Sequence, residues 1–221
     1  MSFVFANNLG ETVSVSKCYN NPYDAYQNRY YNKKELCIVS DNKVIRILYT
    51  KMISVKWAVS CAKHVLHIFE EKYPNDKRPR KAIEAASNWI KDPSGKNKQA
   101  CQDIDFGDVY YTASYDDNAA SYAVKSAYVS ASYVVKTVYN DFHATRVANS
   151  AYAAYAHYVS ELFSDPNKSL EIKWQCKKLN QIVYEEILLA FVMTQYNRVD
   201  KKLVRKIPKE LLEYIASFLI N

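Results

Sequence analysis

From Asp108 to Asp165 the chain runs without a single glycine or proline. Those two residues are the strongest local breaks in regular structure, so their absence predicts helix throughout. One unbroken helix at 1.5 Å per residue would reach about 85 Å, too long for a domain of this size. The stretch therefore predicts two helices, broken near Asn140-Asp141, a good capping pair. Ala120, Ala123, Ala127 and Ala131 form one small-residue stripe, and Ala144, Ala148 and Ala151 form another. Small stripes let helices approach closely, so these two should pack on each other as a hairpin. Tyr122, Tyr128, Tyr133 and Tyr139 advance by five or six residues and wander around the helix, which leaves some of them exposed. The Ala/Tyr alternation reads as a degenerate repeat, an α-hairpin used twice.

Upstream, Ala58, Ala62, Val65 and Phe69 recur at steps of four, three and four, one face of a helix. Ser54 is placed to cap its start, and Tyr73-Pro74 ends it, because the residue before proline avoids helical angles. Pro79 suits the first turn of a second helix. Ala82, Ile83, Ala86, Trp89 and Ile90 make its buried face, and Asp92-Pro93 stops it. The short hinge makes the two helices antiparallel neighbours. Asp92 to Asp108 reads as loop. A last long helix follows Asp165-Pro166, with Ile172, Cys176, Leu179, Val183, Ile187 and Phe191 as its buried stripe. Residues 198–205 are a basic linker, and IPKELLEYIASFLIN forms one more amphipathic helix. At the other end, NNPYDAYQNRYYNKK is loop by composition. LCIVSDNKVIRILYT reads either as two short strands about Ser40-Asp41-Asn42 or as helix leading onward. The expected fold is an all-α, single-domain helical bundle with an Ala/Tyr-rich helical hairpin, to which the strand reading of the N-terminal stretch would add a short β-hairpin. Its expected parts are an N-terminal extension (1–50), a helical domain (51–197) and a C-terminal linker and helix (198–221).

Several function classes are disfavoured at once. The longest apolar run, Ile187 to Met193, falls far short of the ~20 residues that span a bilayer, so no membrane partner is expected. The opening MSFVFANNLGETVSV lacks a basic start and a continuous apolar core, so no signal peptide is expected. Five cysteines without CxxC spacing fit reduced thiols in a cytoplasmic protein better than a disulfide framework or a zinc ribbon. The net charge of +7 is spread along the chain without a nucleic-acid-binding motif, so nucleic acid is not the expected partner. Only 3 glycines leave little from which to build a phosphate-cradling loop, and GxSxG and HExxH are both missing. No enzyme and no cofactor is expected.

Three constellations carry potential chemistry. His64, His67 and Glu71 can share one helix face and offer metal ligands, or simply flank the apolar stripe. Asp103, Asp105 and Asp108 resemble a calcium loop, but the EF-hand glycine and terminal glutamate are misplaced, so solvated carboxylates fit better. Cys61 lies a turn from Trp57 and His64; a Cys–His nucleophile is one reading, a small core residue the stronger one. In the hinge, Asp76, Arg78 and Arg80 either form a patch that a partner reads or pair inside the fold, Arg78 or Arg80 with Glu70, Glu71 or Glu84. Tyr128 and Tyr133 on the hairpin are the expected partner surface, since tyrosine gives contact area at low entropic cost.

The run WAVSCAKHVLHIFEEKYPNDKRPRKAIEAASNW, with Ala-rich helices at Ala119 to Ala156 and Trp174-Gln175 in LEIKWQCKKL, resembles a family of immunity proteins from bacterial polymorphic-toxin loci. The resemblance covers roughly residues 45–184. It is specific at Cys61, Val65, Leu66, Phe69, Glu70, Pro74, Asp76, Arg78 to Arg80, Ala82 to Ala86 and Trp89. It implies an all-helical domain that neutralises a toxin by occluding a protein partner, with Glu70, Asp76, Arg78, Arg80, Glu84, Trp174 and Gln175 as motif positions. Immunity proteins aimed at nucleases are often acidic, and the basic charge here argues against such a target. A second resemblance lies in Ile207 to Leu219, which looks like the first helix of an F-box. It implies that Pro208, Leu211, Leu212, Ile215 and Leu219 face a Skp-type adaptor of a ubiquitin ligase. Truncated C-terminal F-boxes are a habit of large DNA viruses of eukaryotes, which would place the protein in a host cytoplasm.

Overall fold

A computed structural model describes residues 2–29, 34–105, 119–141, 143–162 and 168–196. The chain divides into two compact units, Thr50–Lys178 and Met1–Tyr49 taken with Leu179–Asn221. Among the described residues it is mostly helical, with one small sheet, and no helix is long and apolar enough to cross a membrane.

In the larger unit, α2 (Thr50–Lys72) packs on α3 (Arg78–Lys91), α5 (Ala119–Thr137) and α6 (His143–Leu162). Its burial is correspondingly broad: Ile53, Val55, Trp57, Ala58, Cys61, Ala62, Val65, Ile68 and Phe69 are all enclosed. A helix that is apolar on several sides sits in a core rather than on it. This also corrects the expected start. Ser54 is no cap; it is fully buried inside α2, because Thr50 and Ile53 carry the enclosed stripe one turn further back.

Proline opens α3 as expected, and Ala82, Ile83, Ala86 and Trp89 are buried, with Ile90 half-buried. Residues 92–108 are not loop throughout. Ser94 accepts the Asn97 N–H (3.4 Å) and Asn97 ties back to the Asp92 carbonyl (2.8 Å), starting α4 (Gly95–Gln102). The break in the glycine- and proline-free stretch falls where the capping pair predicts, with the His143 N–H on the Asn140 carbonyl and the Ala144 N–H on that of Asp141, both 3.1 Å. Ala123, Ala127 and Ala131 on α5 and Ala144, Ala148 and Ala151 on α6 are at most 1% exposed. With so little side chain in the way, Ser130 on α5 reaches the Val147 carbonyl of α6 at 3.2 Å.

The final helix α7 (Lys168–Tyr196) begins after Pro166 as expected, but its first two turns are phased differently. Ile172 is 41% exposed and Cys176 half-buried, while Glu171 and Gln175 are each 1% exposed. The buried face enters on two polar side chains and turns apolar only at Leu179, Ile182, Val183, Ile187 and Leu188.

In the smaller unit, β1 (Ser2–Ala6), β2 (Glu35–Ser40) and β3 (Lys43–Ile47) form an antiparallel sheet in the order β1-β2-β3. Phe3 lies opposite Ile38, and Ile38 opposite Arg46. The β2–β3 hairpin decides between the two readings of this stretch in favour of the strands. Its turn residues Asp41 (φ 48°) and Asn42 (φ 60°) are both left-handed, the geometry that matches the twist of paired strands. Strand β1 completes the sheet, and Val4, Ala6, Val13, Cys37, Val39 and Val44 pack on one face. Residues 20–34 also depart from the loop reading: Asn21 accepts the Asp24 N–H (2.9 Å) and Pro22 opens a short helix, α1 (Pro22–Gln27). Tyr26 then meets Phe5 edge-on at 5.3 Å, and Tyr184 of α7 meets Phe3 at 6.5 Å.

Candidate functional site

The hinge between α2 and α3 closes on itself. Arg80 sets its guanidinium fork on Glu70, Nε to Oε1 at 2.7 Å and Nη2 to Oε2 at 2.5 Å, joining the end of one helix to the start of the next. Arg78 does not reach Glu70, Glu71 or Glu84. Asp76 captures it instead: Oδ1 accepts the Arg78 backbone N–H (3.0 Å) and Nε (2.9 Å), and Oδ2 accepts Nη2 (2.6 Å). Lys77, the residue just ahead of α3, makes no side-chain cap, so Asp76 serves the helix start from one position earlier. The arginines hold both carboxyls below their ordinary range, Arg80 acting on Glu70 and Arg78 on Asp76. Glu84 is exposed on α3 and acts on Arg80 only through space.

Tyr128 joins this corner rather than the surface. It is 6% exposed, with Phe69 at 5.4 Å and the Arg78 guanidinium 6.0 Å from its ring centroid. Burial pushes its hydroxyl pKa up. Tyr128 therefore does not offer the broad contact area expected of it, because the residue shares its helix face with the buried alanines. Tyr133, five residues on, is half-buried and lies nearer the turn that joins α5 to α6.

Trp174 and Gln175 meet α2 and α6 around a polar cluster that periodicity did not reveal. The Trp174 ring stacks on His64 (4.0 Å, 15°), with Tyr155 at 5.8 Å. Gln175 Nε2 donates to the Ala148 carbonyl (2.9 Å) and to Glu171 Oε1 (2.8 Å). The other Glu171 oxygen lies 3.0 Å from His64 Nε2, at ion-pair distance but without hydrogen-bond geometry. Its side chain is fully buried, that of His64 32% exposed. The spacing of Glu171 and Gln175, four residues apart on the face continued by Leu179, is the signal that marks them.

The other expected constellations come apart. His67 turns edge-on to Tyr158 (5.5 Å) and Glu71 accepts the hydroxyl of the same tyrosine (3.4 Å), while His64 stacks on Trp174, so the three do not converge on one point. Among the described residues no three His, Cys, Asp or Glu side chains are placed to hold a metal ion. Asp103 follows α4 and accepts from Gln99 Nε2 (2.9 Å); Asp108 lies outside the described residues. Cys61 is fully enclosed in α2, and burial, followed by the charge of Glu171, pushes its thiol well above the ordinary value. A thiol so held stays protonated, which suits a core residue and not a nucleophile. Pro208, Leu211, Leu212, Ile215 and Leu219 lie outside the described residues.

A family model described as "Imm-5 like putative immunity protein" matches residues 49–182, more than half of the chain. No curated protein and no solved structure matches.

Proposed function

The chain belongs to the Imm-5-like immunity protein family, and from that premise we propose that it is a non-enzymatic protein that binds and occludes a protein partner. The observation that carries this reading is the family match, which spans the whole helical unit and the hinge motif within it. Two features of the molecule support it. The motif residues Glu70, Asp76, Arg78 and Arg80 are engaged with one another, which suits a rigid scaffold better than a reactive centre. Cys61, the motif residue read as a candidate nucleophile, sits enclosed with its thiol pKa pushed well up by burial.

Affinity purification of the intact chain from its native host cell, followed by reconstitution with the purified partner, tests the proposal. A stoichiometric complex in which the partner loses its toxicity or activity is expected. A chain that captures nothing, or that turns over its partner, overturns it. Capture of a Skp-type protein, lost on deleting residues 206–221, would instead establish an adaptor working through Ile207 to Leu219.

A further inference from the structure

We propose that the end of the α5–α6 hairpin that carries Tyr133 is the docking surface, and that it takes an acidic patch on the partner protein. This rests on the partner-binding reading and names the surface and the chemistry. Tyr133 is the centre. Lys136, one turn further along α5, holds its ammonium 4.9 Å from the Tyr133 ring centroid. Across the hairpin, the Arg146 guanidinium lies 5.5 Å from the same centroid, and its Nη1 donates to the Tyr133 hydroxyl at 3.5 Å. His143 stacks on the ring at 5.4 Å and 23°. Beside this group, Tyr139 donates its hydroxyl to the Lys98 carbonyl and lies 5.1 Å beneath the Lys98 ammonium. Lys51 stands near enough to Lys98 for the like charge to act on it.

Lys136 and Arg146 thus flank Tyr133, and Lys98 lies over Tyr139 six residues further along the chain, with Lys51 within reach of its charge. Among the described residues Asp103 and Asp141 are carboxylates that act on this neighbourhood. Lys136 and Arg146 are exposed, and among the described residues neither forms an ion pair. Like charges held together on rigid helices repel, and an anionic partner relieves that repulsion. Arginine and tyrosine at the centre of a patch are also the residue types that dominate binding energy at protein interfaces.

The geometry favours carboxylates over nucleic acid. A base needs a free ring face to stack on, and His143 already lies on Tyr133. Phosphate tracking needs a row of cations along a groove, whereas these form a compact cluster. A guanidinium fork is suited to a carboxylate pair.

The test uses the intact chain with a fluorescent Glu-rich peptide and a single-stranded DNA of equal charge, read by anisotropy at several salt concentrations. K136E/R146E reverses the proposed surface. K63E/K72E changes the net charge equally at two exposed sites elsewhere on α2. The first pair should weaken peptide binding about tenfold or more and flatten its salt dependence; the second should cost less than about threefold. K136Q/R146Q, which removes charge without reversing it, should fall between, so the test survives even if the reversal unfolds the protein. Equal losses in both reversed variants reduce the effect to net charge and overturn the surface. Tighter binding of the DNA, lost in the same variant, overturns the acidic-protein assignment. A hairpin-end variant that still binds peptide but no longer captures the native partner also overturns the acidic chemistry. Intact peptide binding at the hairpin end with no partner captured by the wild type would leave the surface standing and remove the immunity reading.

Discussion

At the scale of single residues, the most consequential pair is one that hydrophobic patterning passes over. Glu171 and Gln175 take the buried places that periodicity assigns to Ile172 and Cys176, and each is 1% exposed. Gln175→Ala should cost about 2–3 kcal/mol in urea unfolding, because the Ala148 carbonyl and Glu171 Oε1 lose their donor in a buried place. The double variant E171M/Q175L, which replaces the polar group by apolar bulk, should cost less than Q175A alone. A larger loss in the double variant would refute the coupling. His143 gives a second residue-scale expectation. Burial, then the charges of Arg146 and Lys136, lowers its pKa below the ordinary value. A base with a lowered folded pKa binds fewer protons folded than unfolded, so stability rises with pH between that value and about 6.5. Below that interval the destabilisation is fully present. Glu70 and Asp76 are lowered carboxyls and lose their contribution at more acid pH, outside this window. Urea midpoints measured across the interval should rise for the wild type and flatten in His143→Asn; parallel curves would contradict the assignment.

At the scale of elements, how much is legible depends on how each element is held. The long helices α2, α3, α5, α6 and α7 bury apolar residues at helical spacing, so rhythm locates them, and the break between α5 and α6 falls at Asn140-Asp141, where the capping pair places it. The short α1 and α4 have too few turns for a rhythm and exist because Asn21 and Ser94 cap them, a local signal easily taken for loop composition. Strand β1 is illegible for another reason: its partner β2 is remote in sequence, and local residues carry no record of that pairing. The α7 phase is shifted because Gln175 bonds both Glu171 Oε1 and the Ala148 carbonyl, which lets two polar side chains fill a buried face. The alanine stripes, by contrast, state their role directly. Ala148→Leu puts a large side chain where α5 and α6 touch and should cost about 1–3 kcal/mol. Asn149→Leu, the same bulk on the exposed neighbour, should stay within about 0.5 kcal/mol. Equal effects in chemical denaturation would mean the hairpin is not closely packed.

At the scale of the whole molecule, sequence resemblance reached the family and the helical architecture, because a hinge with Asp76, Arg78, Pro79 and Arg80 in fixed order is rare and its pairing is local. The grouping of the first strands with the chain from Leu179 onward lies beyond such reading, since it depends on long-range association. The candidate site was half legible: Tyr133 was visible as an aromatic contact, but Lys136, His143 and Arg146 become a cluster only when two helices fold back. The C-terminal segment provides the sharpest test at this scale. Residues 206–221 carry Lys206 and Lys209 against Glu210 and Glu213, so removing them leaves the net charge at +7. The family match ends at residue 182, well before them. If partner capture depends on the helical unit and on its basic surface, a chain ending at Arg205 should bind the native partner as tightly as the intact chain and with the same salt dependence. Because charge is conserved, a loss of capture could not be put down to weaker electrostatic attraction. It would place the contact in Ile207 to Leu219 and move the function from occlusion by a folded surface to recruitment by a terminal helix.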